Sequence, residues 1–276
     1  MPGETQVAVK VWDLPVRIFH WAVVILLAFQ LVTGWIGGHL MPWHVYSGYA
    51  LLVLIVFRIL WGFAGSTHAR FASFLAGPLA TLRFARRLFS REAVPQVGHN
   101  PLGGWMVMAL IASLAFQAFS GLFANDGVAT EGPLATLVPV ELSNDLAEWH
   151  GWNAWLLLTL SGLHVAAVVF HLVVKRDNLV TSMFTGIRHV PPQAAQERRA
   201  TRRDRANRRA GSRDVAPVFP GPWRAVIVLA VAIALVCLVV LVPRHAAYRS
   251  GVSVETRPPA GTVTQRTAMA RGAGRE

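Results

Sequence analysis

The sequence has little cysteine, little charge and no zinc-hydrolase motif. Its 276 residues hold one cysteine, Cys237, inside an apolar run. A single thiol makes no intrachain disulfide, no cysteine-ligated iron–sulfur cluster and no covalent c-type haem attachment. Only 14% of residues are charged, against 54% hydrophobic, and the mean hydropathy is +0.44. That balance argues against an ordinary soluble domain and for a chain that crosses a membrane several times. HExxH is missing, and no Ser–His–Asp or Cys–His nucleophile arrangement is evident. The net charge of +12 would suit nucleic acid. The arginines, however, cluster beside apolar spans, so anionic lipid is the expected partner and nucleic acid is not.

Five apolar runs are long enough to cross about 30 Å of hydrocarbon as helices. They cover Arg17–Gly38, His44–Gly65, Pro101–Phe123, Glu148–Val174 and Trp223–Pro243. The first follows "VWDLPVR" with no small-residue cleavage site close behind, so it is expected to be a retained span, not a removed leader. The loop between spans two and three carries Arg70, Arg83, Arg86, Arg87 and Arg91. Residues 124–148 have no Lys or Arg but contain Asp126, Glu131, Glu141, Asp145 and Glu148. Positive-inside bias therefore predicts a cytoplasmic N-terminus, with the acidic loop on the far side. The expected organisation is a four-span domain over 1–190, an Arg-rich cytoplasmic linker over 191–222, a fifth span over 223–243 and a basic, disordered tail over 244–276.

The fourth span is unusual in carrying three histidines, His150, His164 and His171. At 100° and 1.5 Å per residue, His150 and His164 share a face to within about 40° and lie about 21 Å apart. His171 continues the stripe two turns on. Span one carries His20 near its inner end, and span two starts at the outer side with His44. By depth, His44 pairs with His150, and His20 pairs with either His164 or His171. Taken singly, His39, His68, His99 or His171 reads as a hydrogen-bonded polar residue between helices. Four histidines paired by depth on different helices suit two bis-histidine b haems, which need no cysteine. A zinc site would instead gather its ligands in one place. Gly34, Gly48, Gly121 and Gly162 could clear room for a porphyrin, or merely for close helix packing. Arg17, Arg58 and Arg70 are inner candidates for haem propionates, and are equally readable as topology anchors.

Four stretches carry a family resemblance: "RIFHW", "WHVYSGY", "GHNPLGGW" and "WHGWNAWLLLTLSGLH". They resemble the bacterial cytochrome b561 family, whose superfamily includes the b-type cytochrome subunits of nickel–iron hydrogenases. The resemblance covers roughly residues 8–190. It implies an all-α integral membrane fold, a four-helix bundle holding two b haems, here with an appended fifth transmembrane helix. It also implies His20 with His164 as axial ligands of the inner haem iron, and His44 with His150 for the outer one. The residue choice between His164 and His171 comes from this resemblance and not from depth.

The expected function is electron transfer across the membrane between the quinone pool and a periplasmic redox partner. That partner would be a hydrogenase, another dehydrogenase or a c-type cytochrome. A quinone site is expected near His99 and Asn100, where "GHNP" could equally just start and cap span three. Two alternatives stand beside it: a self-contained superoxide:quinone oxidoreductase, and a non-redox transporter or scaffold using the histidines as a proton relay.

Overall fold

Asp13 opens the first long helix and ties it to the second. Its carboxylate accepts from the Val16 backbone N–H at 2.8 Å, which caps helix α1 (Leu14–Ile36), with a proline in the first turn. The other carboxylate oxygen accepts from the Trp61 indole N–H at 3.1 Å. Trp61 lies near the end of α2 (Met41–Ala64), so one side chain joins the start of α1 to the end of α2. In this computed structural model, residues 6–87, 98, 100–127, 130–190, 192 and 221–249 are described. The Arg-rich linker and the basic tail expected from the sequence lie almost wholly outside them.

Three further long helices follow: α5 (Pro101–Phe123), α6 (Val140–Val173) and α8 (Pro222–Arg249). With α1 and α2 they are the five helices long and apolar enough to span a membrane. The α6 helix starts eight residues before the expected span, inside the acidic loop. Its 34 residues make a rod of about 51 Å, longer than the hydrocarbon is thick. The first two turns, with Glu141 and Asp145, therefore project beyond the apolar layer. Large apolar side chains on the outward faces, such as Val24, Ile25, Val165 and Val169, stay exposed in the protein alone and require lipid around them.

α1 lies along α2, α5 along α6, and α2 against α5, giving a four-helix bundle. The fifth helix, α8, packs on α2. Ala232, Val236 and Val240 recur every fourth residue, share one face of α8 and are buried. They meet Leu52, Val53 and Val56 of α2.

A layer with no local sequence signature closes one end. Between α2 and α5 the chain forms α3 (Phe71–Phe74) and α4 (Pro78–Arg87), read beforehand only as a basic loop. After α6 come α7 (Leu179–Thr185) and strand β2 (Ile187–Val190). β2 pairs antiparallel with β1 (Val7–Lys10), with Val7 opposite Val190. Gly186 joins α7 to β2 with φ +80°, and a Cβ there would lie 2.7 Å from the Trp12 carbonyl oxygen. Only glycine suits that corner. A two-stranded ladder is marginal alone. Here Arg188 of β2 is buried and anchors it: the guanidinium bonds the Asp177 carboxylate and donates to the Gly98 carbonyl at 3.1 Å.

Asp177 makes this sheet end sensitive to acid. Burial alone would raise its carboxyl, but the nearby His171 imidazole and the charge and hydrogen bond of Arg188 outweigh that and hold it below the usual carboxylate range. Its stabilising share is therefore fully present above about pH 4 and is lost as pH falls through the lowered value. Thermal midpoints recorded from pH 6 to 3 should show that loss in the wild type and a flatter profile in Asp177→Asn. Identical profiles would mean the ion pair contributes nothing.

At the opposite end, the segment from Thr130 to Pro139 folds back on the end of α5. Gly132 donates to the Ala124 carbonyl at 2.8 Å, and a Cβ on it would stand 2.3 Å from the Leu122 carbonyl oxygen. Backbone cannot yield there as a flexible side chain can. Gly132→Ala is expected to cost about 1–3 kcal/mol, read as a lowered melting temperature in detergent. An unchanged melting temperature would show that this loop opens freely.

Candidate functional site

The bundle brings four imidazoles together in two pairs. At the loop end, His44 of α2 faces His150 of α6 with ring centroids 6.2 Å apart. Toward the sheet end, His20 of α1 faces His164 of α6 with centroids 6.5 Å apart. His171 belongs to neither pair, since its Nδ1 sits 3.8 Å from an Asp177 carboxylate oxygen. The depth argument left His164 and His171 open. The two residues lie on nearly one face of α6 two turns apart, and the register of the packed helices sets His164 level with His20 while His171 stands beside Asp177 at the sheet end.

These separations suit a metal held between two rings. A metal–imidazole bond is about 2 Å and a ring nitrogen lies about 1 Å from its centroid, so opposed ligands place their centroids about 6 Å apart. Among the described residues no three or more His, Cys, Asp or Glu side chains converge as a metal site. Two protein donors per metal suit a group that supplies its own remaining donors, as a porphyrin does.

A cavity of about 750 Å³ surrounds the loop-end pair, lined by Gln30, Gly34, Gln117 and Gly121 beside the two histidines. That volume is in the range of cofactor pockets, about 300–1,000 Å³. The two glycines are required here. A Cβ on Gly34 would lie 2.9 Å from His44 Cε1, and one on Gly121 would lie 3.0 Å from His150 Cε1. Each ring therefore stands against bare backbone. Asp126 and Thr130 reach the cavity from the folded-over loop.

Two glutamines lock the helices that present these rings. Gln30 donates to the His44 carbonyl at 3.0 Å, and Gln117 donates to the His150 carbonyl at 3.1 Å. Asn153, buried in α6, donates to the Gln117 amide oxygen at 2.6 Å and to the Ser113 carbonyl at 2.9 Å. The sequence reading passed over both glutamines. Their signal was available as a repeated string, "FQLVTG" at 29–34 and "FQAFSG" at 116–121.

The candidate cations separate clearly. Arg17 donates to the Phe184 carbonyl, while its Nε is buried without a partner. Arg58 is buried in α2 with its guanidinium 5.0 Å from the Phe71 ring centroid and one terminal nitrogen lacking a partner. Both therefore keep unused donors in the sheet-end half of the bundle. Arg70 is exposed. Asn100 caps α5, its side-chain oxygen accepting from the Gly103 N–H at 2.6 Å. His99 lies outside the described residues.

A family model described as prokaryotic cytochrome b561 matches residues 11–186. The matched segment holds all four paired histidines and stops before α8. Among curated proteins, the chain is 27% identical over 216 residues to a probable Ni/Fe-hydrogenase B-type cytochrome subunit of Azotobacter chroococcum, covering 66% of this chain and 89% of that one. It is 24% identical over 221 residues to the probable Ni/Fe-hydrogenase 1 B-type cytochrome subunit of Escherichia coli K12, covering 67% and 93%. No solved structure matches significantly.

Proposed function

The chain belongs to the prokaryotic cytochrome b561 family, and we propose that it carries electrons between the quinone pool and a periplasmic redox protein through two b haems. Membership makes it a multi-pass membrane b-type cytochrome that transfers electrons. The finer reading rests on one observation: two imidazole pairs, each spaced for a metal, at two levels of one bundle. His44 and His150 would hold the loop-end iron, and His20 and His164 the sheet-end iron. Haem b supplies one-electron redox chemistry, its potential set by axial ligands and surroundings.

The chain's own residues hold, orient and insulate. α6 contributes one histidine to each pair, 14 residues apart, which fixes their spacing along the axis at about 21 Å. The paired imidazoles are half-buried between apolar helices, an environment that disfavours their charged forms. Held by a histidine from each of two helices, a haem would supply electron transfer in preference to oxygen chemistry. Arg17 and Arg58 have spare cationic donors suited to the propionates of the sheet-end haem. Arg70 is exposed and suits anionic lipid.

Orientation follows charge. The sheet end, with Arg83, Arg86 and the linker arginines near it in sequence, is assigned to the cytoplasm. The loop end, acidic and beside His150, then faces the periplasm and is placed to meet a redox partner. Relatives named as hydrogenase cytochrome subunits make a hydrogenase the favoured partner. The quinone site is assigned to the sheet end, near the start of α5 at His99 and Asn100.

The test is a reduced-minus-oxidised optical spectrum of the detergent-purified chain, with a pyridine haemochrome count and addition of a reduced short-chain quinol. Two b haems per chain and reduction by quinol support the reading. A colourless protein from haem-replete cells removes it and returns the histidines to a proton path. Two haems unresponsive to quinol would remove only the quinone assignment.

A further inference from the structure

The loop-end histidines sit in two copies of one cradle, on two different helices. In α1, the Thr33 hydroxyl donates to the Phe29 carbonyl at 2.8 Å. Its oxygen lies 3.2 Å from His44 Nδ1, and the Gln30 carbonyl oxygen lies 3.1 Å from that same nitrogen. In α5, the Ser120 hydroxyl donates to the Gln117 carbonyl at 3.1 Å, and its oxygen lies 3.1 Å from His150 Nδ1. Each hydroxyl has one proton, and each spends it on a carbonyl of its own helix. At His44 the Gln30 carbonyl can only accept, so Nδ1 carries the ring proton; at His150 the Ser120 hydroxyl, its proton spent on the Gln117 carbonyl, accepts from Nδ1 in the same way. Nε2 is left unprotonated, which is the tautomer a metal ligand needs.

The sheet-end pair lacks this arrangement. His20 Nδ1 is buried and has no partner among the described residues. The two pairs are thus supported differently by the same fold. Hydrogen bonds donated from the far ring nitrogen raise the basicity of an imidazole ligand and favour the more oxidised metal.

We propose that Thr33 and Ser120 are positioning residues which fix the tautomer of His44 and His150 and hold the loop-end haem at a lower reduction potential than it would otherwise have. The inference rests on the bis-histidine haem reading. The residues act through the imidazoles and touch no substrate. The arrangement repeats as Phe-Gln-x-x-Thr/Ser-Gly, with glycine admitting the ring, the hydroxyl fixing its tautomer and glutamine gripping the histidine's carbonyl.

The experiment uses the full chain in detergent, as wild type, Thr33→Val, Ser120→Ala, their double variant, and the conservative Thr33→Ser and Ser120→Thr. Spectroelectrochemical titration resolves the two haem components. The one missing in His150→Ala is the loop-end haem. In the double variant that component shifts to higher potential while the other stays, and haem affinity at that site drops about 10-fold. The single variants shift it part of the way, and the conservative variants leave it in place. If the double variant does not fold, the singles decide. Two haems with an unmoved loop-end component, or both components moving together, would overturn the positioning role. A wild-type protein without haem would instead overturn the reading beneath it.

Discussion

Replacing His44 or His150 by alanine is expected to halve the haem content of the purified protein and leave the other proposed haem spectrally intact. The cause is the way the ligands are shared out. His44 and His150 face each other at 6.2 Å, and neither contributes to the His20–His164 pair. With one imidazole gone, the iron keeps a single protein donor inside an apolar cavity of about 750 Å³. A b haem has no covalent attachment to retain it. Losing either ligand should therefore release the group almost completely. His20→Ala and His164→Ala remove the other half. His171→Ala keeps both haems, since His171 faces Asp177. The check is a haemochrome count per chain for each variant. One haem lost in His171→Ala, or none lost in His150→Ala, would break the assignment of pairs.

Asp13→Ala is expected to be the most destabilising single substitution outside the histidines, at about 2–4 kcal/mol. Asp13 serves three partners at once. It caps α1 through the Val16 N–H, accepts from the buried Trp61 indole, and is the anion whose charge reaches the Arg58 guanidinium inside the bundle. Alanine leaves an uncapped helix, a buried indole N–H without an acceptor and a cation of 3% exposure without its counter-charge. An ionised group stranded at membrane depth is costly. Asp13→Asn keeps one acceptor oxygen and loses the charge, so it should fall between the two. Thermal unfolding in detergent, followed by circular dichroism, measures the series. Asp13→Ala melting with the wild type would show that Trp61 and Arg58 find other partners.

Much of this could be read beforehand. The run Pro101–Phe123 was legible at both ends, because Asn-Pro marks the helix start and the apolar run ends where the helix does. The early start of α6 was not, because Glu141 and Asp145 made its first turns look like loop. Acidic residues near a helix N-terminus are in fact favourable there. The β1–β2 ladder was invisible: it joins residues 7–10 to 187–190, and four-residue strands leave no local signature. Arg188 has no local mark in the sequence that sets it apart from the other arginines. Its burial between Asp177 and Gly98 depends on two segments that are distant in sequence.

What the sequence determined alone is what a single helix can carry. Apolar length fixes that five segments can enter a membrane. The rise per residue fixes that His150 and His164 stand about 21 Å apart on nearly one face. What tertiary structure decided is register, and which faces meet. His164 and His171 share a face of α6 to within about 20° and stand about 10 Å apart along it, so coarse depth could pair His20 with either. Side-chain packing between α1, α2, α5 and α6 sets the register, and it brings His164 to His20, His150 to His44, and the hydroxyls of Thr33 and Ser120 to the far side of the rings. Those contacts are few, directional and non-local. Hydropathy, which averages over a whole helix face, carries no record of them.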